Sequence, residues 1–148
     1  MERRDIIERL NDLIQLDVDA VEAYDHAIKH MEYADIRKRF LDFQDDHKTH
    51  ISELSAFVQQ LDGKPIKPKP DLRGYLLEVF TALRSVTSTQ GALEAMKRNE
   101  TLTNEKYREA ADLDLPEEFI IILRTNLSQE IRHLQYIEEI LDNPRRDL

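Results

Sequence analysis

The chain has 148 residues and a formal net charge of -9, with no cysteine, three glycines and five prolines. An acid surplus of this size excludes a sequence-independent grip on nucleic acid or on anionic membrane, both of which need a basic face. The missing thiols exclude disulfides, thiolate metal sites and Cys-x-x-Cys redox chemistry.

Scarce glycine and proline beside abundant Leu, Glu, Ala, Ile, Arg, Lys and Asp give an all-α class. The length suits one domain over residues 1–148. Met1 to Asp5 carries no apolar leader and no later run is long enough to span a bilayer, so a cytoplasmic location is expected.

The first helix is predicted over about Asp5 to Met31, where Ile6, Leu10, Leu13, Asp17, Ala20, Tyr24, Ala27 and Met31 recur at alternating steps of three and four, the seam of a packed helix. Asp17 stands in the middle of that seam. A second, about Asp35 to Leu61, has Phe40, Phe43, His47, His50, Leu54, Phe57 and Leu61 in the same register, with Asp35 as N-cap and Gly63 just past its end. Both histidines occupy core positions.

Between 62 and 71 the chain holds Pro65, Pro68 and Pro70, which remove amide donors and force extended backbone, so this stretch reads as a linker. Leu72, Tyr75, Leu76, Val79, Phe80 and Leu83 then mark a short amphipathic helix inside a crossover of residues 62–88, ended by Ser88, Thr89 and Gly91. A third long helix, about Gln90 to Asp112, puts Leu93, Met96, Glu100, Thr103, Tyr107 and Ala110 on one seam. Pro116 opens the fourth, whose seam is Phe119, Leu123, Asn126, Glu130, His133, Ile137 and Ile140. No Lys or Arg falls on any of the four seams.

Short links within each pair predict two antiparallel hairpins, and the long middle connection lets the chain run back along helices about 39 Å long. The expected architecture is a four-helix bundle of two antiparallel hairpins joined by a long crossover that contains a short helix. One offset of 83 residues relates Asp17 to Glu100, Tyr24 to Tyr107, His47 to Glu130 and His50 to His133. Identity between the halves is otherwise slight, so the repeat rests on where the matches fall.

Asp17, His47, His50, Glu100, Glu130 and His133 are the candidate metal ligands. The two i, i+3 pairs turn both members toward one side of a helix, and oxygen donors with imidazole nitrogen suit Fe, Mn or Zn better than Ca or Mg. The flanking Glu53 and Tyr136, the matched Glu22 and Glu105, and His26 and His30 read as packing or surface residues. Arg37-Lys38-Arg39 and Arg145-Arg146 are too short to offset the acid surplus.

With these residues the chain resembles the ferritin-like di-iron carboxylate superfamily, bacterioferritins and rubrerythrins included, over roughly residues 5 to 142. In that superfamily two helices each give a carboxylate and the other two each give Glu-x-x-His. The resemblance implies a ferritin-like bundle with Asp17 and Glu100 as bridging carboxylates, Glu130 with His133 and His47 with His50 as terminal pairs, and Tyr24 and Tyr107 behind the bridging positions. It further implies two divalent ions, iron first with manganese or zinc as alternatives, and oxidase, ferroxidase or peroxidase-type chemistry on O2 or peroxide. Without a cysteine-ligated iron domain, an external electron donor is implied.

Two positions depart from the pattern. Asp17 is one methylene shorter than the usual glutamate, and His47 replaces a glutamate, leaving three carboxylates instead of four. A weak or empty position is therefore expected on the first half's side. The alternative from another class is a metal-free helical interaction module whose buried His/carboxylate network sets helix register. In either case the crossover helix is expected to cover the bundle or to mediate a homodimer.

Overall fold

A computed structural model of the chain describes residues 1–71 and 77–143. Five helices follow in order: α1 Arg3–Ile28, α2 Ala34–Gln60, α3 Leu77–Arg84, α4 Thr89–Ala111 and α5 Glu117–Asp142, and there is no strand among the described residues. The predicted long helices and the short crossover helix are all present. Leu72, Tyr75 and Leu76, assigned above to the crossover helix, and Arg145-Arg146 lie outside the described residues.

Several end signals act differently from their sequence reading. Asp35 is not the cap of α2: Tyr33 takes that position and Asp35 lies in the first turn, where its charge still meets the positive end of the helix dipole. At the other end the left-handed residue is Asp62, with φ 59°, a conformation that aspartate tolerates better than most residues. Gly63 instead lets the backbone approach Ile7, whose Cδ1 would lie 2.8 Å from an added Cβ. Ser88 does not end the crossover helix, which stops at Arg84. It caps α4, its hydroxyl accepting from the Gly91 amide at 3.1 Å.

Hydrogen bonds fix the helix directions. Gln44 donates to the Val21 carbonyl and to Asp25 while His47 meets Asp17, setting α1 and α2 antiparallel. Tyr24 reaches Glu100 while Tyr107 reaches Asp17, so α1 and α4 are antiparallel as well. His50 meets Gln129 and His133 meets Asp46, which does the same for α2 and α5. It follows that α2 and α4 run in the same direction, which only a connection returning along the whole bundle permits. Val79, Phe80 and Leu83 of α3 are buried within the chain, α3 packing on α1 and α4. These three residues therefore cover the bundle.

The core is continuous along the seams. Leu10, Ile14, Tyr24, Ile36, Phe40, Leu54, Leu93, Met96, Tyr107, Leu123 and Ile137 are fully or almost fully buried. Rings meet edge to face, Tyr24 on Phe40 at 5.3 Å and Phe57 on Phe119 at 4.4 Å between centroids, an arrangement the ring quadrupole favours. None of the helices among the described residues is long and apolar enough to cross a membrane.

A row of polar residues on α1 pins the proline-rich linker. Asn11 donates to the Lys64 carbonyl at 3.1 Å and accepts from the Ile66 amide at 3.0 Å, Gln15 donates to the Lys69 carbonyl at 3.1 Å, and Asp19 accepts from the Asp71 amide at 2.8 Å. The spacing 11, 15, 19 puts all three on one stripe of the helix. Asn11→Ala should abolish protection of the Ile66 amide in hydrogen exchange and cost about 0.5–1.5 kcal/mol in urea unfolding. Unchanged Ile66 exchange would show that the linker is held by something other than this row.

Candidate metal centre

The four long helices converge on one polar cluster. α1 contributes Asp17, α2 His47 and His50, α4 Glu100, and α5 Glu130 and His133, and none of the six is more than 1% exposed. No Lys or Arg is buried among the described residues, so the carboxylates have only imidazoles, hydroxyls and amides to meet them. Three buried carboxylates without a fixed cation are costly unless protonated histidines or a metal ion balance them.

The six residues form two groups of ligand-type atoms, each within 4.8 Å: Asp17, His47, His50 and Glu130, and His47, Glu100, Glu130 and His133. The shared members are His47 and Glu130. Asp17 and Glu100, expected from the resemblance to bridge, each belong to one group only, and the i, i+3 pairs supply the two residues common to both. Glu130 turns Oε1 toward His47 and His50, 3.4 Å from Nδ1 of each, and Oε2 toward His133 Nδ1 at 3.5 Å. His47 points Nδ1 at Asp17 Oδ1, 2.7 Å away, and Nε2 at Glu100 Oε1, 3.2 Å away.

Around the six, the 83-residue relation is repeated as reciprocal hydrogen bonds between the halves. Tyr24 of α1 donates to Glu100 of α4, and Tyr107 of α4 donates to Asp17 of α1. His133 Nε2 lies 2.7 Å from Asp46 Oδ2, and His50 Nε2 lies 2.5 Å from Gln129 Oε1. Asp46 and Gln129 are themselves 83 apart. A carboxylate or amide oxygen can only accept, so each Nε2 is the donor, and Nδ1 of each ring is left facing the cluster.

Two further residues lock the α4 and α5 side. The Thr103 hydroxyl lies 3.1 Å from Glu100 Oε2 and 2.9 Å from Glu130 Oε2, and the Asn104 amide donates to the Glu100 and Glu130 carbonyls at 2.7 and 2.9 Å. Phe43 stacks on the His133 ring at 4.2 Å. Tyr136 packs edge to face on Phe43, with the Arg39 guanidinium 5.0 Å from its ring centre, while His26 pairs with Glu22 and rests against Phe80. The packing reading of Tyr136 thus describes its contacts.

Burial and neighbouring charge pull the titrating groups apart. Burial, then the Glu100 charge, push the Glu130 carboxyl up to about 7. Burial alone would lower the His133 pKa, but the Glu100 charge and the Asp46 hydrogen bond outweigh it and hold the group at about 10. His47 is likewise raised well above its usual value, burial being outweighed by Glu130 and Asp17. Despite burial, Glu100 and Asp17 are held below the usual carboxylate range, Glu100 chiefly by the His133 charge and Asp17 by hydrogen bonds from His47 and His50. Without metal the cluster is a proton-rich set of ion pairs.

That set does not satisfy itself. Glu130 Oε1 and His133 Nδ1 are buried with no hydrogen-bond partner, although such atoms almost always have one in a native fold. Each faces the cluster, one toward each half, and each would give a lone pair to a cation there, His133 once it has shed its cluster-side proton. Nitrogen and oxygen donors in this mixture are the chemistry of a transition-metal site, and the residues fit such an ion.

The fold and the cluster together define a ferritin-like helical bundle with a buried His/carboxylate centre of metal-binding type. A family model described as a domain of unknown function, DUF2383, matches residues 5–113, and the chain belongs to that family. A crystal structure described as ferritin-like, diiron-carboxylate proteins from Bacillus anthracis str. Ames superposes with a TM-score of 0.75 at 19% identity, covering 95% of this chain and 99% of that one. The ferritin-like fold expected from the sequence is therefore the fold of this chain. A search of curated proteins gave no match.

The sequence reading missed Asp46, Gln129 and Asn104, and counted Thr103 only as a seam residue. Asp46 and Gln129 lie one position before His47 and Glu130, on the half-buried flank and off the seam. The offset that relates the ligands would have found them.

Proposed function

We propose that this chain binds two divalent ions at the buried cluster, iron ahead of manganese or zinc, and that it oxidises bound metal or reduces dioxygen or peroxide. The observation that carries the reading is the pair of overlapping donor groups sharing Glu130, each with a buried donor atom that makes no hydrogen bond. Asp17, His50 and Glu130 would hold one ion and Glu100, Glu130, His133 and His47 the other. A redox-active ion bound there supplies Lewis acidity and electrons toward an oxygen species.

The protein's own part is orientation and exclusion of water. Tyr24 and Tyr107 fix Glu100 and Asp17 through their hydroxyls, each from the opposite hairpin. Asp46 and Gln129 fix the rings of His133 and His50 so that Nδ1 faces inward. With no thiol in the chain, repeated turnover draws electrons from an external donor.

A second reading, a metal-free register-setting network in an interaction module, has one observation in its favour: Asp17 is met by protein donors alone, from Tyr107, His47 and His50. Metal analysis separates the two. Protein made in iron- and manganese-supplemented medium should retain ion, show anomalous scattering at the cluster and take up as many as two ions in titration. Metal-free protein that also takes up nothing in titration would overturn the metal reading in favour of the network.

A further inference from the structure

Resting on the metal-binding reading, we infer that the two halves of the centre are unequal: the first ion goes to Glu100, Glu130, His133 and Nε2 of His47, and a second, held by Asp17, His50 and Glu130 alone, binds more weakly. The inequality comes from His47, which stands in both groups. A carboxylate in that position has two oxygens and can serve two ions. A neutral imidazole has one lone pair and can serve only one.

Geometry says which. His47 Nδ1 is 2.7 Å from Asp17 Oδ1, the shortest of the ring's carboxylate contacts, so Nδ1 keeps its proton when an ion binds. Nε2, 3.2 Å from Glu100, is the nitrogen whose lone pair turns to the ion once the ring is neutral. Donor atoms about 2.0–2.2 Å from an ion are about 2.8–3.6 Å from one another along a coordination edge. In the second group the separations are 3.2 Å for His47 Nε2 to Glu100, 3.3 Å for His133 Nδ1 to Glu100 and 3.5 Å for His133 Nδ1 to Glu130, all inside that range. In the first group His50 Nδ1 keeps such spacing, 3.1 Å to Asp17 and 3.4 Å to Glu130, but the His47 to Asp17 contact falls below it.

The groups behind the rings point the same way. His133 is backed by the Asp46 carboxylate, which strengthens an imidazole as a ligand, whereas His50 is backed by the neutral Gln129 amide. The half with four donors also has the better-supported histidine. Asp17 is left with a double task, accepting the His47 proton and contributing to the weaker position.

The test is a titration of the chelator-stripped full chain with Co2+ alone, followed by visible absorbance and calorimetry. One equivalent should bind tightly with nitrogen and oxygen ligation, and a second at least about tenfold more weakly. His50→Ala should keep the tight phase and lose the weak one, whereas His133→Ala should lose the tight phase. His47→Glu, which restores a carboxylate between the halves, should bring the two phases together into one two-ion transition. Two equal equivalents in the parent chain, or a tight phase damaged equally by His50→Ala and His133→Ala, would overturn the inequality while leaving metal binding intact. No Co2+ uptake by the parent would overturn both. If circular dichroism shows that an alanine variant has not folded, the parent chain and His47→Glu decide.

Discussion

Replacing Glu100 by alanine is expected to destabilise the chelator-treated protein by about 3–5 kcal/mol, the usual cost of breaking a buried charge network from one side. Glu100 is fully buried and faces two imidazoles, His47 at 3.2 Å and His133 at 3.3 Å, and it also accepts from Tyr24 and Thr103. Without the carboxylate, the Tyr24 hydroxyl loses its acceptor in a dry core, His133 loses its largest opposing charge and His47 loses one of its three. Urea unfolding followed by circular dichroism measures the effect. Glu100→Gln separates its parts, since the amide keeps the volume and one acceptor oxygen while losing the charge. A loss below about 1 kcal/mol for the alanine variant would mean that the imidazoles in the metal-free protein are neutral and need no counter-charge. The same alanine variant should lose ion uptake.

The second large effect is a reversal of pH dependence on metal binding. His133 keeps its proton in the folded, metal-free chain up to about 10, against 6.5 for the free group. Between those values the unfolded chain has released a proton that the folded chain retains, so stability falls as pH rises, by about 1.4 kcal/mol per pH unit for each such proton. His47, raised well above 6.5, acts in the same sense. Glu130, lifted from 4.5 to about 7, does so at lower pH. Asp17 and Glu100, lowered from 3.8 and 4.5, contribute stability at and above their unfolded values and lose it only as pH falls further.

Chelator-treated protein should therefore be most stable near about pH 4–5 and weaken steadily toward alkaline pH. Metal-loaded protein should do the opposite, because its ligands must shed protons to bind. Thermal unfolding of both forms across this range should give curves that cross. Parallel curves would mean that ions bind somewhere other than this cluster.

Much of this was legible in the sequence because the information is periodic. Ile6 to Met31 and Phe119 to Ile140 keep their three-four spacing through the polar interruptions at Asp17, Glu130 and His133, which is what a helix must do to bury them. The 83-residue echo then picked out all six residues of the two donor groups. Which residues lie between the groups was not legible. Asp17 and His47 are both seam residues, and whether one or the other reaches the midline depends on how deeply α1 and α2 sink into the bundle, a property of packing and not of spacing. For the same reason Asn11, Gln15 and Asp19 read as an ordinary polar stripe on α1 until the linker lies against them.

The exchange of hydrogen bonds between halves bears on assembly. Tyr24 with Glu100, Tyr107 with Asp17, His133 with Asp46 and His50 with Gln129 each join residues 76 to 90 positions apart in the chain. A lone α1–α2 hairpin would therefore own a tyrosine and an aspartate whose partners are elsewhere, and the α4–α5 hairpin would be in the same position. Each hairpin keeps bonds of its own, Asp17 with His47 and His50 or Thr103 with Glu100 and Glu130, but neither completes a donor group by itself. The centre comes into being only when the hairpins dock, so a bound ion would act as a latch on the finished bundle and not as a template for its parts.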